Sequence, residues 1–433
     1  MTLGGGFYVK KSWIFIVVFV LTLLSNKFMF SSAVQHGDIN SDGSVNSIDF
    51  GLYRLYLLGS YEIKDITVAD LNGDGSANSI DFGVLRKYLL GFISSFPVEE
   101  MSVPTPIPTS QTQQSDNIIL IPHKSWTCGM PAGIPQPEKG VLVFEANMKL
   151  EMIYNLGRTQ YGQRQVFVVQ SGTITGPKIS GTVMSGGLDF QLDISNGAME
   201  IEQILVFRTN DGKYVYFRSA GTAANQGDVR MVPDIEAPNN GSYSWLNSGK
   251  YAGRRVIDTL AKTMKISVYD ISSVPVNSDS TNSITVTQPE DVQDQPWDYR
   301  TAFSEKNGNV FITELVNLGN SQSVGTTKKN GNRNIIPITG GNVSGSINAK
   351  IIPAGADYQN LSNPMTIDAR YLWQTDDGEI IIVRNGGQFG SLVPTFEVRA
   401  DSKYAYLNNK LYLSSDPAMG AGGVTITFYE SKK

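Results

Sequence analysis

Residues 366–387 read TIDARYLWQTDDGEIIIVRNGG, and residues 200–221 read EIEQILVFRTNDGKYVYFRSAG. In both, apolar, β-branched and aromatic residues alternate on either side of an Asp-Gly pair, Asp377-Gly378 and Asp211-Gly212. That is the pattern of two strands joined by a tight turn. The likeness spreads outward from there. GTITGPKISGTVMSGGLDFQ at 172–191 answers GNVSGSINAKIIPAGADYQ at 341–359, and GRTQYGQRQ at 157–165 answers GTTKKNGNRN at 325–334. Later in each copy, Trp245-Leu246-Asn247 answers Tyr406-Leu407-Asn408. One β domain of about 140 residues is therefore written twice. Many short antiparallel strands in that length mean a barrel or a sandwich. The long central hairpin favours a closed up-and-down barrel, since closure removes exposed edges.

Composition agrees. The chain has 433 residues, 41% hydrophobic, 10% aromatic and 17% charged, with 43 glycines. These values exclude wholesale disorder and lean toward a β-rich, turn-rich chain; at ~150 residues per domain they allow about three domains. The formal net charge is −5, and the only charged residues of the first 33 are Lys10, Lys11 and Lys27. Without that segment 32 basic residues face 40 acidic ones, a net −8, and no basic stripe points to nucleic acid as a partner. The histidines are His36 and His123, and the single cysteine is Cys128. From Gly129 onward no imidazole or thiol is present, which excludes Ser-His-Asp, Cys-His and His/Cys-zinc chemistry there. One cysteine also means no intrachain disulfide.

Lys10 and Lys11 precede an apolar run from Trp13 to Leu24, followed by Ser31, Ser32 and Ala33. A positive start, a short apolar run and small residues read as a signal peptide over residues 1–33, cleaved after Ala33. The run is short for the ~20 residues of a membrane span. The mature chain is expected to be secreted, extracellular and free of membrane contact.

Residues 38–59, DINSDGSVNSIDFGLYRLYLLG, and 70–91, DLNGDGSANSIDFGVLRKYLLG, are identical at 16 of 22 positions. Each sets oxygen ligands at the spacing a hard cation requires. Asp38, Asn40 and Asp42 take loop positions one, three and five, Ser44 offers its carbonyl, Asn46 acts through water and Asp49 closes position twelve. Asp70, Asn72, Asp74, Ser76, Asn78 and Asp81 repeat the set, predicting two calcium ions. After each loop an amphipathic helix is predicted, with Ile48, Leu52 and Leu55, or Ile80, Val84 and Tyr88, as its packing stripe.

No helix precedes either loop, and the closing ligand is Asp rather than Glu. The segment at 34–96 resembles a type I dockerin, the small α module that joins cellulosome components to a scaffoldin by binding its cohesin. The resemblance places cohesin recognition at Ser47, Ile48 and Arg54 and at Ser79, Ile80, Arg86 and Lys87, and near-symmetry implies binding in two orientations. A Pro/Thr/Ser/Gln-rich linker follows at 97–117, and a Ser/Asn/Thr-rich one at 272–295 separates copy one (118–271) from copy two (296–433).

The repeated run Gly-x-Asp-aromatic-Gln (187–191 and 355–359), Asp368-Ala369-Arg370-Tyr371, Thr375–Gly378 and Arg384-Asn385 resemble a family of lipocalin-like β-barrels known only as a domain of unknown function. Copy two keeps the pattern best; copy one has Glu202, Ile204, Asn210 and Ser219 at the corresponding places. Alternation puts Ile367, Ala369, Tyr371 and Trp373 on one face, with Ile380, Ile382 and Arg384 expected opposite them. In copy one the matching set is Ile201, Gln203, Leu205 and Phe207 with Tyr214, Tyr216 and Arg218. If that aromatic face is the interior, Arg218 and Arg384 lie inside and require a carboxylate or an anionic ligand. Asp189 with Gln191, and Asp357 with Gln359, are on hand. With Tyr371 and Trp373 they form a candidate pocket for a sugar or another small ligand; a purely structural Arg–Asp pair accounts for them equally well. Asp368 and Arg370 are expected to face outward as a solvated pair.

Three functions follow. The first is a cellulosome subunit whose barrels bind carbohydrate or a small ligand in polysaccharide degradation. The second is a glycoside hydrolase or lyase using Asp357 and Asp368, or Asp189 and Glu202, as acid and base, although alternation places each pair on opposite faces. The third is a structural subunit with occluded barrels.

Overall fold

The computed structural model describes residues 35–98 other than 74, 90–92 and 94; 117–287 other than 196, 226, 280 and 281; and 308–432 other than 329, 330 and 421. The signal peptide read at 1–33 and most of the 97–117 linker lie outside the described residues. The chain divides into two compact units, Met1–Gln113 and Gln114–Lys433. Among the described residues, no helix is long and apolar enough to cross a membrane.

The first unit holds helices α1 (Ser47–Leu57) and α2 (Ser79–Leu89). Asn46 caps α1: its side chain accepts from Ile48 N, and Asp49 reaches back to Asn46 N, so the first turn's exposed amides are satisfied. Phe50 and Phe82 stack at 4.3 Å, one from each repeat, over a core of Tyr53, Leu71, Leu85 and Phe96. The predicted packing stripes are corrected here. Ile48, Leu55 and Ile80 are exposed, because the inward stripe starts one residue later, at Asp49–Tyr53 and Asp81–Leu85. Those two aspartates turn into their loops and carry the helix face with them.

The second unit holds both barrels. A short parallel pair joins β1 (Ile119–Ile121) to β11 (Ser283–Thr285), so part of the stretch expected as the second linker is a strand. Barrel one runs through β2 (Val141–Arg158), β3 (Gln163–Thr175), β4 (Ser180–Val183), β5 (Leu188–Ser195), β6 (Ala198–Thr209), β7 (Tyr214–Ala223), β8 (Arg230–Glu236), β9 (Tyr251–Asp258) and β10 (Thr263–Asp270). Each strand pairs with its neighbour, β4 and β5 share the place between β3 and β6, and β10 and β3 both pair with β2, closing the ring. Barrel two uses β12 (Asn309–Leu318), β13 (Gln322–Thr327), β14 (Gly331–Gly345), β15 (Ala349–Ile351), β16 (Ala356–Asn360), β17 (Thr366–Thr375) and β18 (Ile380–Gln388). It ends with β19 (Val393–Glu397), β20 (Tyr412–Ser414), β21 (Ala418–Gly420) and β22 (Gly423–Glu430). Both barrels are antiparallel, as the alternating pattern required.

The return strands of the central hairpins correct the sequence reading. The loops contain three residues, Asp376-Asp377-Gly378 and Asn210-Asp211-Gly212, closed by Thr375 N to Glu379 O and Thr209 N to Lys213 O. Gly378 and Gly212 take φ of +87° and +82°, the left-handed position such loops need. The register therefore pairs Arg370 with Arg384 and Ile204 with Arg218. A one-residue shift exchanges the two faces of a strand. Arg218 and Arg384 thus leave the interior, which receives Val215, Phe217 and Ser219, or Ile381, Val383 and Asn385.

The outer face so formed is not solvated, because the two barrels pack against each other across it. Leu372 and Ile382 of barrel two meet Val168, Leu188 and Phe190 of barrel one. Ile204, Val206 and Tyr216 of barrel one meet Ile335, Ala356 and Tyr358 of barrel two. These are the same repeat positions exchanged, so the contact is self-complementary in the manner of a two-fold dimer. Polar contacts repeat the exchange. Arg164 and Thr159 Oγ1 bind Glu397 at 2.8 and 2.6 Å, and Arg333 and Thr327 Oγ1 bind Glu236 at 2.7 and 2.6 Å.

Candidate functional site

Three places carry chemistry: the duplicated loops, the charged seam between the barrels, and the barrel interiors.

In the loops, Asp49 and Asp81 are fully buried. Asp49 accepts Ile39 N and Asn40 N on Oδ1 and Asn46 N on Oδ2, at 2.9, 3.3 and 2.8 Å. Asp81 repeats this with Leu71 N, Asn72 N and Asn78 N at 2.9, 3.1 and 2.9 Å. Asp38 takes Asp42 N and Gly43 N, and Asp70 takes Gly73 N and Gly75 N. Among the described residues no three acidic, histidine or cysteine side chains converge on one point; the loop carboxylates lie on their own amides. The donor set still fits calcium: it is hard oxygen throughout, and neither Asp49 nor Asp81 forms an ion pair among the described residues. Asp74 lies outside them. Ser47, Ile48, Arg54, Ser79, Ile80, Arg86 and Lys87 are all exposed, leaving both matching faces accessible.

In the seam, Glu202 of β6 lies 2.7 Å from Arg218 and 2.6 Å from Arg370, and Asp368 lies 3.1 Å from both Arg370 and Arg384. The expectation of a solvated Asp368–Arg370 pair is thereby corrected: Arg370 is 1% exposed, covered by the other barrel. Burial pushes the Glu202 carboxyl up, but Arg370, Arg218 and Arg384 outweigh it and hold the group well below the usual carboxylate range. The expected partnership of Arg218 with Asp189 does not form.

Inside barrel one, Asp189, Gln203 and Ser219 form one rung of neighbouring strands. Asp189 is bound by Arg255 Nη2 at 2.9 Å and by Gln203 Nε2 at 2.7 Å. Arg255 also donates twice to Gln191 Oε1 at 2.9 Å, with its guanidinium 5.3 Å over the Phe167 ring. Arg255 is the cation that Asp189 required. Its signal was the inward alternation of Tyr251, Gly253 and Arg255.

Barrel two has the same rung with different contents: Asp357, Ala369 and Asn385. Gln359 Nε2 donates to Asp357 Oδ2 at 2.7 Å, and Gln359 Oε1 accepts from Asn334 Nδ2 at 2.9 Å. Asp357 Oδ1 and Asn385 Oδ1 are buried without a hydrogen-bond partner. One rung on, Tyr371 Oη donates to Glu314 Oε1 at 2.6 Å, and Trp373 Nε1 to Glu314 Oε2 at 3.2 Å. Glu314 faces Val343, as Ala146 faces the equivalent Ile174 in barrel one. The sequence reading missed Glu314, although it is the lone acid of NVFITELVNL, and passed over Asn385 in favour of its neighbour Arg384.

Both acids are shifted. Burial raises Asp357 to about 7, with the Asp368 charge adding to the rise and the Gln359 bond opposing it. Burial raises Glu314 to about 8 against the Tyr371 and Trp373 bonds. A carboxyl raised on folding costs stability once pH exceeds its unfolded value near 4.5, and the cost grows until pH reaches about 8. Glu314→Gln is therefore expected to remove a fall in stability, on the order of 2–4 kcal/mol between pH 5 and 8, that the wild-type unit shows. Urea midpoints at those two pH values check it; parallel pH dependence in both proteins refutes the assignment.

The proposed acid–base pairs do not meet: Asp357 lies inside barrel two and Asp368 on the seam, as Asp189 and Glu202 are divided in barrel one. Two carboxyls of barrel two do face its interior, Asp357 and Glu314, each near enough to raise the Tyr371 hydroxyl.

A family model described as protein of unknown function (DUF3237) matches residues 139–274 and 307–391, and one for the type I dockerin domain matches residues 36–90. A UPF0311 protein of Bradyrhizobium diazoefficiens is 34% identical over 109 residues, 20% of this chain and 71% of that one. Another, from Rhodopseudomonas palustris, is 44% identical over 64 residues, 14% and 42% of the two chains. Among solved structures, a conserved protein of unknown function from Rhodopseudomonas palustris is 24% identical at a TM-score of 0.28, covering 30% of this chain and 95% of that chain. A cohesin–dockerin complex from Acetivibrio cellulolyticus, described as displaying a type I interaction, is 44% identical at a TM-score of 0.14, covering 15% and 94%.

Proposed function

The chain belongs to the DUF3237 family, proteins of unknown function, and carries a type I dockerin; from that premise we propose that barrel two is its ligand-binding part. The dockerin implies docking to a cohesin in a cellulosome; such modules bind calcium, and the proteins that carry them are typically extracellular. In our reading the chain is secreted, holds two calcium ions in its duplicated loops, and brings to the complex a lumen that binds a carbohydrate or another small ligand during polysaccharide degradation.

One observation carries this: Asp357 Oδ1 and Asn385 Oδ1, both buried acceptors without donors, flank Ala369 on a single rung. Buried acceptors are ordinarily satisfied, so a ligand with hydrogen-bond donors would meet their unmet capacity. Between them stands Ala369, smaller than the Gln203 of barrel one. A second reading, general acid–base hydrolysis, rests on Asp357 and Glu314, since carboxyls raised to about 7 and 8 can exchange protons near neutral pH.

Incubating the full chain with a panel of plant polysaccharides and oligosaccharides separates the readings. Retardation in affinity gels without new reducing ends, lost in Asp357→Asn, is the expected result. Release of reducing ends that Asp357→Asn and Glu314→Gln both abolish would establish the hydrolase instead. Binding that survives Asp357→Asn would overturn the lumen as the site.

A further inference from the structure

We propose that the ligand of barrel two presents a cationic nitrogen group, a guanidinium or a primary ammonium, to Asp357 and Gln359. This rests on the reading of that lumen as a binding site and names the chemistry of what enters it.

The argument comes from the other barrel. The runs Gly187-Leu188-Asp189-Phe190-Gln191 and Gly355-Ala356-Asp357-Tyr358-Gln359 hold the same places in the repeat and pair with β6 and β17 in the same register. Barrel one fills its copy with a guanidinium of its own. Arg255 takes one oxygen of Asp189 and the side-chain oxygen of Gln191, and Gln203 takes the other oxygen of Asp189. The pair is dry, with side chains 3% and 0% exposed. Barrel one thus holds a guanidinium of its own against the Asp–Gln pair, while Gln203 Oε1 and Ser219 Oγ of the same rung are left without partners.

Barrel two keeps the Asp–Gln pair without the guanidinium: Gln359 Nε2 donates to Asp357 Oδ2 instead, and Gln359 Oε1 accepts from Asn334. Arg255 faces Ile266 on β10. The corresponding strand, β22, carries Ile426, and the segment lying against it, Ser415-Asp416-Pro417, has no basic side chain. Gln203 has become Ala369. Asp357 consequently keeps Oδ1 without a donor, and no Arg or Lys among the described residues forms an ion pair with it. Asp368 also lies close enough to raise Asp357, though it is itself paired with Arg370 and Arg384. A desolvated carboxylate discriminates by charge, favouring a cation over a neutral sugar of the same size. A primary amine on a sugar ring would supply the donor that Asp357 Oδ1 lacks.

Calorimetry on the full chain at pH 7.5 tests this with three probes: methylguanidinium, D-glucosamine and D-glucose. Methylguanidinium and glucosamine are expected to bind once per chain, with glucose at least about tenfold weaker. Asp357→Asn, checked for folding by its melting temperature, should remove cation binding. Arg255→Ala vacates barrel one, so methylguanidinium should then bind twice per chain. Glucose binding as tightly as glucosamine, through a site that Asp357→Asn still removes, would overturn the cation while leaving the lumen as a binding site. Binding of none of the probes, together with no retention on the polysaccharide panel, would overturn both.

Discussion

Replacing Arg370 by Ala is expected to destabilise the twin-barrel unit by about 3–5 kcal/mol. Arg370 is 1% exposed, and its guanidinium lies between Glu202 of one barrel at 2.6 Å and Asp368 of its own at 3.1 Å. Its removal leaves Glu202 buried with Arg218, whose side chain is 41% exposed to water, as its one direct ion-pair partner among the described residues, beside the more distant Arg384. A buried carboxylate that loses its main counter-charge pays the desolvation cost without the return, which is the expensive way to break an ion pair. Arg218→Ala, at the wet edge of the same cluster, should cost only about 0–1 kcal/mol. The two variants differ in position more than in chemistry, so their ratio tests the seam's geometry.

The seam also predicts a pH dependence. The Glu202 carboxyl is held well below its ordinary value, so its contribution is complete above the unfolded value near 4.5 and is lost as pH falls below it. In Arg370→Ala that acid-side loss should flatten. A control comes from the repeat: Ile204 stands in barrel one where Arg370 stands in barrel two, so this frame accepts an aliphatic side chain. Arg370→Ile combined with Glu202→Leu should recover most of what Arg370→Ala loses. Urea denaturation of the three variants decides; a loss under 1 kcal/mol for Arg370→Ala would show that the barrels do not depend on this pairing.

The sequence was informative about elements and misleading about one parity. Alternation along β6 and β17 placed Gln203, Leu205, Tyr371 and Trp373 inside correctly, because a strand's period of two is local. Which residues of β7 and β18 stand opposite depended on loop length, and Asp-Gly marks both two- and three-residue loops. The extra residue moved Arg218 and Arg384 out of the lumen and onto the seam. The seam itself had no local signature. Strand β6 reads as buried on both faces only once a second barrel covers it, and the hydrophobic run AMEIEQILVF was the available hint. The true partner of Asp189, Arg255, lies 66 residues further along the chain, a distance no local pattern spans. Each loop is a single contiguous motif, and the sequence placed Asp49 and Asp81 at the loop ends, where both are buried. Only the helix faces slipped, by the one residue that Asp49 and Asp81 claim for themselves.

Withdrawing calcium is expected to lower cohesin affinity by at least about a hundredfold and to unfold the first unit while leaving the barrels folded. Among the described residues of that unit, its fully buried apolar side chains are Ile39, Tyr53, Ile63, Ala69, Leu71, Leu85 and Phe96, a small core. Against them stand Asp49 and Asp81, fully buried carboxylates whose visible partners are three backbone amides each. Amides orient a charge but do not neutralise it, and two uncompensated buried charges exceed what a core of this size offsets. On the reading proposed above, with a divalent cation in each loop to supply the missing counter-charge, metal binding and folding become one equilibrium. Thermal melts of the full chain should then show two transitions, of which chelator abolishes one. Calorimetry against a type I cohesin should show the matching loss; an unchanged Kd in chelator would refute the coupling. The two exposed faces add a further expectation. Ser47→Ala with Ile48→Ala leaves Ser79 and Ile80 intact, and the reverse pair leaves Ser47 and Ile48, so either alone should bind within about tenfold of wild type. All four changes together should abolish binding, because no third copy of the face exists among the described residues of this unit.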